Sequence, residues 1–99
     1  WLAPVQALVI PVSDYCLEYA EAVRRKLVTY GIRAELDDST STVSYKIRNA
    51  ELQKVPYMAI IGKHEAETGR IAVRRHGTGN LGSLTIEELA RHVRKRDKR

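Results

Sequence analysis

Residues 5 to 12 (Val-Gln-Ala-Leu-Val-Ile-Pro-Val) form a nearly continuous apolar run, which predicts a central strand covered on both faces. Immediately afterwards the hydrophobic period changes. Ser13 and Asp14 offer a helix N-cap, and Cys16, Ala20, Val23, Leu27 and Tyr30 recur at three- and four-residue spacing up to a stop at Gly31. Ile32, Ala34 and Leu36 then alternate with Arg33, Glu35 and Asp37, the pattern of a strand with one wetter face nearer a sheet edge. Strand, helix and strand in that order form a βαβ unit, which commits the chain to parallel pairing with helices packed against the sheet.

The remainder extends the same plan. Asp38 to Ser41 reads as a polar loop ending in candidate caps, and Val43, Ile47, Ala50 and Lys54 share a stripe on a second helix that stops before Pro56. Tyr57 to Gly62 reads as a third, buried strand. Lys63 to Gly69 reads as a polar turn into an antiparallel fourth strand at Arg70 to His76. Gly77, Gly79 and Gly82 mark a loose connection, after which Thr85 and Glu88 form a capping box for a helix carrying Ile86, Leu89, Ala90 and Val93 on one face. The predicted order is βαβαββα, a three-layer α/β domain with a mixed, mostly parallel sheet. At 99 residues a single domain over 1–99 is expected, with 1–4 as a linker and 94–99 as a basic tail.

Composition narrows the function. Lys and Arg number 17 against 12 Asp and Glu, a formal charge of +5 that favours a polyanionic partner or simply keeps the surface soluble. Cys16 is the single cysteine, so neither an intrachain disulfide nor a paired-cysteine zinc framework is available, and a reducing compartment is expected. No apolar run approaches the roughly 20 residues of a membrane-spanning helix, so no membrane partner is expected. The chain opens on Trp1 with no Met, which suggests a segment of a longer protein.

Several catalytic chemistries lack their residues. Asp37 and Asp38 end the second predicted strand, where α/β sheets hold metals or phosphoryl groups, but the third strand closes on Ile60-Ile61-Gly62 without the acidic partner of a phosphoacceptor site. Both carboxylates also suit a turn approaching a helix. No glycine-rich phosphate loop follows the first strand. Cys16 lies on the apolar stripe, as a structural cysteine would, and His64 and His76 flank the third-to-fourth-strand turn without metal-ligand company.

The fourth strand says more. With Ile71 and Val73 inside, Arg70, Ala72, Arg74 and His76 face the other way as a basic stripe, which suits RNA contact or a charged, aggregation-resistant sheet edge. Arg75 stands out of phase at the strand end. Beside the same sheet the second helix carries Tyr45, Lys46, Arg48, Asn49, Gln53 and Lys54, a mixture of cations, amides and an aromatic ring that suits RNA and also an ordinary amphipathic helix.

Trp1-Leu2-Ala3-Pro4-Val5-Gln6, Tyr45-Lys46-Ile47-Arg48, Gln53-Lys54-Val55-Pro56-Tyr57-Met58, Ile71-Ala72-Val73-Arg74 and Leu81-Gly82-Ser83 together resemble the C-terminal anticodon-binding domain of threonyl-tRNA synthetases, over essentially the whole chain. The resemblance implies a five-stranded mixed sheet with three helices, the extra strand falling in or after the glycine-rich stretch. It implies a homodimeric parent, cytoplasmic by default with an organellar enzyme as the alternative, that charges threonine onto tRNA(Thr) with ATP, magnesium and zinc, all held by a catalytic domain elsewhere in the same chain. No cofactor is expected in this domain, and its partner would be the tRNA(Thr) anticodon stem-loop.

The family's anticodon residues fall on Thr40, Glu65 and Arg74, with Lys46, Arg48, Lys54 and Arg70 as candidate contacts to the RNA backbone. A carboxylate accepts from base N–H groups, and a guanidinium donates to a guanine edge or a phosphate. The loop Ser39-Thr40-Ser41-Thr42-Val43-Ser44 departs from the family, which carries an Asn, basic neighbours and a Gly there. A threonine hydroxyl lacks the paired donor and acceptor of an amide. That departure leaves room for an alternative, a protein-interaction or regulatory module that kept the fold.

Overall fold

The computed structural model describes residues 5–97, with side chains described as far as Lys95; the opening Trp-Leu-Ala-Pro motif, the proposed linker and the last two residues of the basic tail lie outside them. β1 (Ala7–Pro11) is the middle of three parallel strands, paired with β2 (Ala34–Leu36) on one side and β3 (Tyr57–Ile61) on the other. β4 (Ile71–Arg75) and β5 (Gly79–Leu84) follow antiparallel, giving the order β2-β1-β3-β4-β5. The sheet is therefore mixed, with two parallel and two antiparallel pairings and with β4 alone running against the other four strands.

Period-two alternation sorts β1 between two cores. Ala7 and Val9 enter the larger one, with Ala20, Val23 and Leu27 of α1 (Leu17–Thr29) and Leu89, Ala90 and Val93 of α4 (Ile86–Asp97). Leu8 and Ile10 face the smaller one, formed with Met58 and Ile60 of β3 and Val43, Ile47 and Ala50 of α2 (Val43–Leu52). The central strand is thus covered on both faces, as its apolar run requires.

The helix ends follow local chemistry. A 3-10 turn at Asp14–Cys16 leads into α1, and Cys16 is fully buried. Thr42 Oγ1 accepts from the Tyr45 backbone N–H at 3.2 Å, capping α2 one residue beyond the loop expected to do so. The Thr85–Glu88 capping box is made in both directions, at 2.8 and 3.2 Å.

Two expectations are corrected. Lys63–Thr68 is a short helix, α3, rather than a turn, so the sheet is flanked by four helices instead of three. Lys54 lies past the end of α2 at φ 60, off the helical stripe on which its spacing had placed it. The strand missing from the sequence pattern is β5, within the glycine-rich stretch. Opposite Val73 and Arg74 its register shifts by one residue at Leu81.

Candidate nucleic-acid interface

The smaller core contains no residue of β4 or β5, so α2 roofs β1 and β3 and leaves the neighbouring sheet face open. Ala72 and Arg74 point onto that face half-buried, because Ile71 and Val73, both fully buried, take the alternate positions toward α1 and α4. Arg74 Nη2 lies 3.9 Å from Glu51 Oε2 on α2, too far for a hydrogen bond, and its buried Nε has no hydrogen-bond partner among the described residues. Arg75 Nε is unpartnered in the same way, so what sets Arg74 apart is its outer guanidinium edge: the side chain is 36% exposed and held by one long ion pair, which leaves its outward N–H groups open to an acceptor. Arg75 turns to the opposite face, its guanidinium 5.9 Å from the centre of the Tyr57 ring.

Glu65 stands in the first turn of α3, beyond the carboxyl end of β3. Its Oε1 accepts from the Gly62 backbone N–H at 2.7 Å. The Tyr19 phenol of α1 is pushed above its ordinary value by burial and secondly by the Glu65 charge, so this carboxylate approaches the α1 side.

Thr40 is exposed in the loop between β2 and α2. There it lines a concavity of about 310 Å³ with Pro11, Ser13, Asp14, Asp38 and Lys46. Asp37 supplies the turn as a side chain, its Oδ1 accepting from the Ser39 N–H at 3.1 Å.

The three family positions do not share a pocket. Thr40 and Glu65 lie near the carboxyl ends of the parallel strands. Arg74 pairs with Met58 near the amino end of β3, roughly 10–13 Å away along the strand. An arrangement spread along a sheet suits several splayed groups of an extended ligand better than one small molecule.

The candidate backbone contacts divide. Arg48 is exposed on α2 and Lys54 beyond it, while Arg70 is exposed but its Nη1 donates to the Ser83 carbonyl at 3.3 Å. Lys46 is different: it is 5% exposed, with its ammonium donating to the Asp37 carbonyl at 3.3 Å. Arg94, assigned to a basic tail, is docked instead, its Nη2 donating to the Tyr30 carbonyl at 2.6 Å. Sequence reasoning missed Glu51 and Gly62. Glu51 pairs with Arg74 through tertiary packing that no spacing announces, whereas Gly62 followed at three residues by Glu65 carries half of a capping signature. Among the described residues no three His, Cys, Asp or Glu side chains gather as metal ligands, and no helix is long and apolar enough to cross a membrane.

Residues 6–96 of this chain match the family described as "Anticodon binding domain". The chain belongs to that family. As an anticodon-binding domain it is 48% identical over 94 residues to a threonine–tRNA ligase of Sulfurihydrogenibium sp. (strain YO3AOP1), covering 95% of this chain and 15% of the relative. It is 47% identical over 100 residues to the threonine–tRNA ligase of Chlorobaculum tepidum, covering 100% of this chain and again 15% of the relative. Among solved structures it superposes, at a TM-score of 0.86 and 32% identity, on the RNA binding domain of threonyl-tRNA synthetase from Cryptosporidium parvum Iowa II. That match covers 96% of this chain and 24% of the other. The anticodon-binding domain described here thus spans about a seventh of the length of the curated relatives it matches.

Proposed function

We propose that this domain reads the anticodon loop of tRNA(Thr) on behalf of a threonine–tRNA ligase. Arg74 carries the reading: its guanidinium is partly exposed on an open sheet face, held only by a long ion pair to Glu51, at the position where the resemblance puts an anticodon contact. Glu65 at the other end of the strand supplies an acceptor for base N–H groups, and Thr40 a single hydroxyl. Exposed Arg48 and Lys54 meet phosphates. In this reading ATP, magnesium and zinc belong to the remainder of a homodimeric cytoplasmic ligase, which attaches threonine to the tRNA.

The test is a fluorescence titration with the tRNA(Thr) anticodon stem-loop and with one carrying a scrambled anticodon. Tighter cognate binding is expected, and Arg74→Ala should cost about 1–3 kcal/mol of it, the scale of one good base contact. Equal binding of both RNAs, or no effect of Arg74→Ala, overturns the reading.

A further inference from the structure

Lys46 is the one charged residue buried among those described, and no carboxylate lies within ion-pair distance of it. Its stem runs on the inner face of α2 between Val43 and Ala50, and its ammonium donates to the Asp37 carbonyl. Asp37 is gripped from three directions: its N–H donates to Val9 of β1 at 2.9 Å, its side chain accepts from Ser39, and its carbonyl accepts from Lys46. The loop carrying Thr40 starts from this residue and ends at the Thr42 cap of α2.

Burying an ammonium with one neutral acceptor costs free energy that an apolar side chain of similar length would avoid. A phosphate would repay that cost, but the concavity that Lys46 lines also carries Asp14 and Asp38, two carboxylates against one ammonium. The two carboxylates therefore offset the ammonium, and Lys46 is not placed as a phosphate contact.

We infer that Lys46 is a positioning residue: it pins the start of the 37–42 loop to α2 and so sets the geometry in which the loop meets RNA. The inference rests on the anticodon-reading function for its consequence, though not for the pin itself. Loss of the ammonium should loosen the loop without weakening the fold, which separates this role from a merely structural one and from a phosphate contact.

Lys46→Met is the probe, with Lys46→Leu as a second variant should the first fail to fold and Lys46→Arg as the charge-retaining control. Amide hydrogen exchange at Asp37 and Ser39, the loop N–H groups that are hydrogen-bonded, should rise about tenfold or more in the apolar variants of the free chain, while β1 and β3 amides and the melting temperature hold or improve. The ratio of cognate to scrambled stem-loop affinity should fall toward unity with an unchanged salt slope, and Lys46→Arg should recover it at least in part. Unchanged loop exchange overturns the inference, as does a melting temperature lowered together with faster exchange throughout the domain. A salt slope reduced by about 0.7 identifies a phosphate contact instead and also overturns it. If the wild-type chain fails to discriminate the two RNAs, the anticodon reading falls while the exchange measurement still decides whether Lys46 pins the loop.

Discussion

The Glu65 carboxylate is folded back over the start of α3 by the Gly62 N–H, and the approach is close enough that a Cβ at residue 62 would meet Glu65 Oε1 at 2.8 Å. Gly62 has φ −104, which alanine adopts freely, so space and not backbone strain is what excludes a larger residue. Because the obstacle is the far end of a flexible side chain, Gly62→Ala should displace the carboxylate and leave the strand and helix intact. The lost hydrogen bond costs about 0.5–1.5 kcal/mol, and the less flexible unfolded chain returns about 0.4–1, so net stability should move by less than about 1 kcal/mol. Urea unfolding checks that half of the prediction. RNA titration checks the other: affinity should fall nearly as far as in Glu65→Gln, and wild-type affinity in Gly62→Ala would show that Gly62 does not place the carboxylate.

At the level of elements, β5 is held in register by one irregularity. Gly82 at φ 93 and the Asn80 Oδ1 acceptor, 2.8 Å from the Gly82 N–H, let Leu81 slip out of the ladder opposite Val73 and Arg74. Leu81 and Leu84 then pack against the same core despite an odd spacing. Open space surrounds the Cβ position of Gly82, so Gly82→Ala should cost backbone strain alone, about 1–3 kcal/mol in urea unfolding, and Gly82→Asn less. A loss no greater than at an ordinary strand glycine would mean that the bulge re-forms without the positive φ.

That odd spacing is also why β5 was illegible in the sequence: period two fails across a bulge. α3 escaped notice for a different reason, since it has six residues and buries none of them, leaving no apolar stripe to read. β1, α1, α2 and α4 were legible because each carries a long stripe or run whose burial is obligatory. The candidate site was legible in part. Alternation along β4 told which way Arg74 points, whereas Lys46, read from the sequence as a candidate contact to the RNA backbone, is buried on the inner face of α2. Its contact with Asp37 and the Arg74–Glu51 pair arise between elements, and sequence periodicity does not encode them.

Across the whole molecule, ionisable groups outside the core tie α1 to α4, side by side on one sheet face, and set the pH range in which they hold. Tyr30, closing α1, donates its hydroxyl to Glu87 Oε2 at 3.1 Å, while Arg94 of α4 reaches back to the Tyr30 carbonyl and stacks 5.9 Å from its ring. Glu87 is held below its ordinary 4.5 chiefly by a backbone hydrogen bond at the start of α4 and then by the Tyr30 hydroxyl. Glu88 is lowered by the Thr85 N–H, and Glu21 by hydrogen bonding to Arg24. Each is a carboxyl group whose folded value is depressed, so its contribution is complete above the unfolded value and disappears as pH falls through the folded one. Tyr19 and Tyr30 shift upward from 10.0, chiefly through burial, so their contribution is complete below 10 and disappears as pH rises past their folded values. The melting temperature should therefore be flat between about pH 5.5 and 9 and decline on both sides. Glu88→Gln should flatten the acid limb, since the neutral amide still accepts from Thr85 but no longer titrates. Tyr19→Phe should do the same for the alkaline limb, leaving the acid one untouched. Thermal melts across pH in low salt decide it, and an acid limb unaltered by Glu88→Gln would move the acid sensitivity away from the α4 cap.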